Sequence, residues 1–362
     1  MFKEIGYILI CFFIAYLAFE GLLFVLEKEY GISLPIGEEL FLSSNGGEDW
    51  LAIETPSKET MSGKALSFDP ENPQNLYLAS PRGISYSKNK GEKFKLNGTK
   101  FETETEPIFV SEVFSSPHNP EIIYLISEEI GRNKVLVSYN KGETFRPMFI
   151  SQKDNKVSAF AVDYFSPFTL YIGTQKGNFL KSEDFGNSWE EKNNFSQKIA
   201  QIAPNPHKKS EIYVLLSAQE RDPFNYWSQR IPAKIMISYD AADTFREFRV
   251  KITTSQVKQI VFDPIINRTY FVANFSLVRK EGKRLETVKI ITSRERSEIN
   301  SFTIDPENSN ILYLGMGELI YKSEDSGKNW MVIETPIRGV VKEIKVNPKN
   351  SQIILLSIEK TL

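Results

Sequence analysis

The sequence predicts an all-β protein: a seven-bladed β-propeller with four-stranded blades, preceded by one N-terminal transmembrane helix. Three observations predict it. An octapeptide recurs roughly every 45 residues, a strand–turn–strand pattern recurs seven times, and a run of nearly unbroken apolar residues lies close to the start of the chain. A repeat of this length matches one four-stranded propeller blade.

The octapeptide begins with Ser, has Asp or Asn at its third position, Gly at its fifth and an aromatic residue at its eighth. The carboxylate or carboxamide is expected to accept backbone N–H groups, the glycine to supply a positive φ, and the ring to pack between blades. The six recognisable copies are Ser43–Trp50, Ser87–Phe94, Ser138–Phe145, Ser182–Trp189, Ser238–Phe245 and Ser323–Trp330. Their predicted structural residues are Asn45, Gly47, Trp50, Asn89, Gly91, Phe94, Asn140, Gly142, Phe145, Asp184, Gly186, Trp189, Asp240, Phe245, Asp325, Gly327 and Trp330.

Two copies depart from this pattern. Ala242 stands where the fifth copy should have glycine, which predicts either local strain of about 1 kcal/mol or a different turn. The segment Val278–Leu285 fills the gap before the last copy as a degenerate octapeptide, in which Gly282 keeps the glycine position and Leu285 the apolar end.

The strand–turn–strand pattern places a Pro/Asn turn between two apolar strands. The first octapeptide has no such pair before it, and the last pair has no octapeptide after it, so the two ends of residues 38–362 are expected to complete one blade. This closure removes the exposed sheet edges of an open array. The seven copies begin at Ser67, Val113, Ala161, Gln201, Ile260, Phe302 and Ile344.

The N-terminal run Gly6–Leu26 is long enough and apolar enough to cross a membrane as a helix. We expect residues 1–5 to be a cytoplasmic stub, 6–26 a membrane anchor and 27–37 a linker. The charges around the run favour a cytoplasmic N-terminus and an extracytoplasmic propeller at a cell surface, in a periplasm or in a lumen. A cleaved signal peptide with its apolar region at Tyr7–Phe19 is the alternative, and would give a secreted protein.

The composition excludes several classes of site. A formal net charge of −2 disfavours binding to nucleic acid. The one cysteine, Cys11, lies in the apolar run, so the propeller has no disulfide and no thiolate metal site, and no metal or cofactor is expected. His118 and His207 lie in Pro/Asn turns and are expected to be surface residues.

The octapeptides resemble the Asp-box, or BNR, repeats of sialidases, the sortilin propeller, xyloglucan-cleaving glycosidases and photosystem II assembly factors. The resemblance covers about Glu38–Leu362, and is strongest to photosystem assembly factor-like and sortilin N-terminal-like bacterial proteins. It implies a non-catalytic module that binds a protein, or a glycan, or assembles a complex; a purely structural envelope subunit is a third possibility. The alternative is a polysaccharide glycoside hydrolase. It would be xyloglucanase-like rather than a sialidase, because the sialidase-like tripeptide Arg230-Ile231-Pro232 lies in the fourth repeat instead of the first.

The longest insertion, Ala218–Ala233, is the predicted partner-binding loop. It combines aromatic and arginine side chains, as binding hot spots do. It connects the second and third strands of a blade, on the face opposite the octapeptides; a loop folded onto its own blade is the alternative. The candidate binding residues are Arg221, Phe224, Tyr226, Trp227 and Arg230, and further candidates on that face are Asn97–Pro107, Ser127–Lys134, Arg294 and Arg296.

Overall fold

The computed structural model describes residues 38–54, 66–69, 71–80, 83–96, 100–101, 109–129, 131–219, 231–250, 257–290 and 297–360. These residues form seven sheets, and the predicted all-β, seven-bladed propeller with four-stranded blades is confirmed. The predicted anchor, residues 6–26, lies outside them. In the described ranges, no helix has the length and apolar character needed to cross a membrane.

Each blade has four antiparallel strands, A to D, from the channel outward. The described residues start with β1 (Glu38–Ser43) and β2 (Leu51–Ala52). Blade 1 contains β3 (Leu66–Phe68), β4 (Leu76–Ser80), β5 (Gly83–Ser87) and β6 (Lys95–Leu96). Blade 2 contains β8 (Phe109–Ser115), β9 (Ile123–Glu129), β10 (Arg132–Ser138) and β11 (Thr144–Ile150), and β7 (Lys100–Phe101) adds to β11 in parallel as a fifth strand. Blade 3 contains β12 (Val157–Val162), β13 (Leu170–Thr174), β14 (Asn178–Ser182) and β15 (Glu190–Asn194).

The remaining blades follow in chain order. Blade 4 contains β16 (Ile199–Pro204), β17 (Ile212–Leu216), β18 (Lys234–Ser238) and β19 (Arg246–Glu247). Blade 5 contains β20 (Val257–Phe262), β21 (Arg268–Ala273), β22 (Ser276–Glu281) and β23 (Arg284–Val288). Blade 6 contains β24 (Ile299–Ile304), β25 (Leu312–Met316), β26 (Leu319–Ser323) and β27 (Met331–Ile333). Blade 7 contains β28 (Val340–Asn347) and β29 (Asn350–Glu359), followed by β1 and β2.

The alternating strand directions give the propeller two faces. The A–B turns and the C–D octapeptides lie on one face, called the box face here. The B–C connections lie on the other, the linker face, as do the links from one blade to the next except at β7. Because β7 pairs with Thr144 and Phe145 at the box-face end of β11, the expectation that Asn97–Pro107 lies on the linker face is wrong for Lys100–Phe101. In blade 7, β1 pairs antiparallel with β29, from Glu38 opposite Glu359 to Ser43 opposite Ile354. The described chain therefore both enters and leaves the propeller on the linker face.

Apolar cores lie between neighbouring blades. The apolar side chains that point out of one sheet pack against the next sheet, so each cluster contains residues from at least two blades. A tyrosine recurs in strand B of six blades with its ring fully or almost fully buried, and burial together with the nearby Asp305 carboxylate raises the pKa of Tyr313 to about 12. The six are Tyr77, Tyr124, Tyr171, Tyr213, Tyr270 and Tyr313.

A second set of contacts joins neighbouring blades around the channel. Each link joins a side chain of one blade to the backbone of an inner strand of a neighbouring blade through one or two hydrogen bonds, in which the side chain donates, accepts or does both. It satisfies backbone groups that have no strand partner on that edge. The seven links are Ser115–Phe68, Asn133–Val157, Ser158–Ile199, Gln201–Ile260, Lys258–Ile299, Ser301–Ile344 and Lys345–Leu66, at 2.8–3.3 Å.

Removal of Val340–Leu362 should unfold the propeller rather than shorten it. The truncation deletes β28 and β29, leaves β1 without its partner and exposes the apolar faces of blades 1 and 6. We expect loss of the cooperative thermal transition followed by circular dichroism. A chain shortened only to Lys360 keeps every described strand and should melt like the full chain, whereas a cooperative melt of the longer truncation would contradict the prediction.

Candidate functional site

The six recognisable octapeptides form one kind of turn on the box face. The serine hydroxyl donates to the Asp or Asn side chain at 2.7–2.9 Å and accepts the N–H of the fifth residue at 2.8–2.9 Å. The Asp or Asn oxygen accepts the N–H of the seventh residue at 2.8–3.1 Å. The serines are at most 1% exposed. The predicted turn residues are therefore held by a closed hydrogen-bond network.

The aromatic residues that end the octapeptides connect adjacent blades. The indole N–H of Trp189 donates to the carbonyl of Met148 in the preceding blade, and that of Trp330 to the carbonyl of Lys289, both at 3.2 Å. The ring of Phe145 is almost completely buried. Each ring thus covers the edge of a blade interface on the box face.

Ala242 adopts the same turn as the glycines, with a φ of 78° and its methyl group fully buried. Its N–H donates to Ser238 Oγ at 2.9 Å, as in the other copies. Of the two outcomes expected from sequence, the structure has the strained residue and not a different turn, because the hydrogen-bond network fixes the backbone.

The alignment of Val278–Leu285 with the octapeptides is wrong at its start. In the other blades with a strand-B tyrosine, the box serine pairs with the residue before that tyrosine. In blade 5 this pair is made by Lys280, not Val278, so Lys280 occupies the position of the box serine. Lys280 also pairs with Leu285, and Gly282 lies in a two-residue hairpin turn with a φ of 56°. Blade 5 therefore has a turn two residues shorter. Leu285 is 39% exposed instead of packed between blades.

The predicted partner-binding residues Arg221, Phe224, Tyr226, Trp227 and Arg230 lie outside the described residues, as do Arg294 and Arg296. The base of their loop is described. Gln219 and Ile231 pair through two backbone hydrogen bonds of 2.9 and 3.0 Å, and Gln197 Nε2 donates to the carbonyl of Pro232 at 2.9 Å. These contacts fix both ends of the loop on the linker face, close to the start of the inner strand of blade 4.

The inner strands line two cavities in the central channel. A cavity of about 490 Å³ lies among the first halves of the inner strands, towards the linker face. Its wall carries charges of both signs beside apolar side chains: Lys258 pairs with Glu298 at 2.6 Å, Lys342 with Glu359 at 2.5 Å and Glu343 with Lys345 at 3.4 Å. The other polar lining residues are Glu112, Ser158, Gln201, Gln259, Asn300 and Ser301.

The second cavity, about 690 Å³, lies among the last halves of the inner strands and opens towards the box face. It is lined by rings and prolines rather than charges. Phe114 and Phe160 contribute to both cavities. The lining residues specific to the box-face end include Pro117, Tyr164, Pro206, Phe262 and Pro264. The channel thus changes from charged to apolar between the two faces.

The acidic residues that line the linker-face cavity are Glu112 from blade 2 and Glu343 from blade 7, with blade 1 between them. Within the described residues, no group of three or more His, Cys, Asp or Glu side chains could hold a metal ion.

Both histidines lie in box-face turns, where His118 Nε2 and His207 Nε2 contact the carbonyls of Asp163 and Asp263 in the next blade at 2.7 and 2.6 Å. A carbonyl only accepts, so each Nε2 carries a proton.

The comparisons with known proteins give fold neighbours only. No protein-family profile matches the sequence, and no curated protein sequence does. A GH74 xyloglucanase from Xanthomonas campestris has a TM-score of 0.63 and 14% identity over 82% of this chain and 50% of its own. YCF48 from Cyanidioschyzon merolae has a TM-score of 0.58 and 13% identity over 85% of this chain and 98% of its own. A YCF48 structure bound to a D1 peptide has the same TM-score and identity over 86% and 96%.

This chain spans about half the length of the GH74 enzymes and nearly the whole length of the YCF48 chains. At these identities the likeness shows a shared fold. The neighbours include both a peptide-bound protein and polysaccharide hydrolases, so the fold is compatible with binding and with catalysis.

Substitutions at the fifth octapeptide position should separate backbone strain from steric conflict. Gly142→Ala should cost about 1–2 kcal/mol, because φ is 85° and the new methyl group meets Phe145 at an ordinary 3.6 Å. Gly327→Ala should cost at least about 2 kcal/mol, because its methyl group would lie 2.5 Å from Val288 Cγ1. Ala242→Gly should change stability by less than about 1 kcal/mol, since relief of strain offsets the lost buried methyl. Urea unfolding measures all three; equal costs for both alanine variants would contradict this account.

The octapeptides with aspartate should be sensitive to acid, and those with asparagine should not. Hydrogen bonds from Thr244 and Ser238 lower the pKa of Asp240 to about 2, below the unfolded value of about 3.9. Its stabilisation is therefore present above about pH 4 and lost as the pH falls towards 2. Asp240→Asn should reduce the loss of stability over that range, measured by urea unfolding at several pH values.

Asn140 provides the matched control for the acid experiment. Its amide donates to Thr144 Oγ1 at 3.0 Å, where Asp240 accepts from Thr244 Oγ1. The reverse variant Asn140→Asp should add acid sensitivity. The same pH dependence in both variants and the parent chain would contradict the prediction.

Proposed function

We propose that the protein is a membrane-anchored, extracytoplasmic propeller of the Asp-box type that binds a protein partner through its linker face, without catalysis. The polar linker-face end of the channel carries this proposal. There, Lys258 and Lys342 are each held by a glutamate of the same or the next blade, which leaves a fixed pattern of charges and amides. Fixed, complementary charge is suited to orienting a protein surface.

The anchor and the loop lie on the same face of the propeller in this proposal. The chain reaches β1 at Glu38 on the linker face, and the base of the 219–231 loop is there too. A linker of residues 27–37 reaches at most about 40 Å when fully extended. If residues 6–26 cross a membrane, the linker face stays near its surface. The partner is then a membrane protein or the membrane-proximal part of one.

The experiment uses the full chain in its native membranes, with a photo-crosslinking amino acid at Ile231, which is 38% exposed at the base of the loop. Adducts are identified by mass spectrometry. We expect one membrane-associated partner. We also expect Tyr226→Ala combined with Trp227→Ala to reduce the adduct at least about tenfold, because truncated aromatic hot spots typically cost 2 kcal/mol or more.

Ile265→Ala combined with Ile266→Ala is the matched control. It truncates two exposed apolar side chains in a box-face turn, so it should leave the adduct unchanged. An adduct insensitive to the loop variant, or crosslinks that form equally from the box face, would refute binding through the linker face.

A glycoside hydrolase is the second candidate, favoured by Glu112 and the rings of Phe114 and Phe160 in one cavity. Such catalysis needs two carboxylates across the scissile bond. Release of reducing ends from xyloglucan, abolished by Glu112→Gln or Glu343→Gln in a folded protein, would support it. No release by the wild-type chain favours the binding module.

A further inference from the structure

Two octapeptides carry a tyrosine–arginine pair that the turn itself does not require. The segments Ser138–Arg146 and Ser238–Arg246 both begin Ser-Tyr and end Thr-Phe-Arg. In each, the guanidinium group lies over the tyrosine ring, 5.0 Å from the centroid in blade 2 and 4.6 Å in blade 4. Arg146 also donates to the Tyr139 hydroxyl at 3.0 Å. The rings of Tyr139 and Tyr239 remain 39% and 48% exposed.

The other four octapeptides form the same turn without this pair. The corresponding second and ninth positions hold Ser44 and Leu51, Lys88 and Lys95, Glu183 and Glu190, and Glu324 and Met331. Neither position contributes to the hydrogen-bond network of the turn. The pair in blades 2 and 4 therefore needs an explanation outside the fold.

Blade 3, between them, has an A–B turn unlike the others. Its segment Tyr164-Phe165-Ser166-Pro167-Phe168 exposes all three rings by 46–58%. Phe168 contacts Phe185 at 6.1 Å between centroids, and Phe185 contacts Tyr139 of blade 2 at 5.6 Å. The corresponding turn of blade 1, Asp69–Asn75, is polar and proline-rich and has the same Asx-type hydrogen bonds, so the rings are not needed for the turn.

We infer that these side chains form one docking surface on the box face for a protein segment that combines carboxylates with apolar side chains. We call it the aromatic strip: Tyr139, Arg146, Phe165, Phe168, Tyr239 and Arg246. Exposed rings next to arginines are the residue types that dominate protein–protein hot spots.

The charges of the strip select an acidic partner. Among the described residues, neither Arg146 nor Arg246 is ion-paired with a carboxylate; each is held by a tyrosine instead. Other arginines of the propeller do have such partners, Arg249 with Glu247 at 3.0 Å and Arg279 with Glu286 at 3.0 Å. A guanidinium group already oriented by stacking can bind a carboxylate bidentately with little further loss of side-chain entropy.

Other ligands fit the strip less well. The Tyr139 ring is covered by Arg146 on one side and contacted by Phe185, so less of its face is left for a sugar to stack on. The net charge of −2 disfavours nucleic acid. Both ends of the described chain leave from the opposite face, so a membrane-anchored chain would hold the strip away from its own bilayer.

Three sets of short, fluorescently labelled peptides test the inference on the full chain. The sets share the same apolar residues and carry Glu, Gln or Lys at the same alternate positions. We expect the Glu set to bind and the Lys set to bind at least about tenfold more weakly, measured by fluorescence anisotropy. Arg146→Glu combined with Arg246→Glu should reverse this order. Phe165→Ser combined with Phe168→Ser should weaken the Glu set without reversing it.

Lys328→Glu combined with Lys349→Glu is the charge-matched control, since it makes the same change in net charge on the box face of blades 6 and 7. It should leave the affinity of the Glu set within about twofold. Circular dichroism checks that each variant is folded.

Failure of all three sets to bind, an order of affinities unchanged by the arginine variant, or binding of neutral oligosaccharides or anionic vesicles in place of peptides would overturn the inference. The loop variant at Tyr226 and Trp227 should not affect peptide binding, so this test is independent of the linker-face proposal.

Discussion

The pairing of β1 with β29 is the constraint on which the rest of the propeller depends. Six residue pairs join the beginning of the described chain to its end inside blade 7. Because the apolar cores lie between blades rather than within them, an open ring would leave the outer faces of blades 1 and 6 in water. Closure also removes two sheet edges that could pair with another chain. Seven interfaces thereby become one cooperative unit.

Closure has a second consequence at the channel, where each inner strand lacks a strand partner on one edge. The seven side-chain links satisfy part of that edge, and no two neighbouring pairs of blades use the same arrangement. The Gln201 side chain makes the two hydrogen bonds of a strand partner: it donates to the carbonyl of Ile260 and accepts from its N–H, each at 2.8 Å. Ser301, in contrast, accepts a single N–H from Ile344. The Gln201 and Ser301 side chains are therefore already engaged with the backbone. The polar cavity-lining residues outside these links are Glu112, Gln259, Asn300, Lys342 and Glu343.

The repeat pattern predicts the number of blades and the strands of each because every blade must bury the same apolar positions and turn with the same chemistry. It does not predict the details of blade 5, where Lys280 takes the serine position, because a turn two residues shorter is visible only once strands are paired. The side-chain links escape sequence reasoning for a similar reason: Gln201 and Ile260 meet only through the angle between blades. The Tyr139–Arg146 and Tyr239–Arg246 patterns are present in the sequence, but they resemble ordinary turn variation until the structure shows them exposed and stacked.

The two faces of this propeller offer different chemistry, and both ends of the described chain lie on the linker face. The linker face holds the entry of the chain, the base of the 219–231 loop and a channel mouth of paired charges, whereas the box face holds apolar rings and two arginines without carboxylate partners among the described residues. A surface whose charges are already paired gains little from a new ion pair, since the existing pair must first be broken. A guanidinium group held only by a ring breaks no ion pair when it binds a carboxylate, so it gains more from the new one. Acidic partners should therefore prefer the box face, and the linker face should orient its own partner through the fixed pattern of its paired charges and amides, which would let one propeller bind two unlike molecules without competition between them.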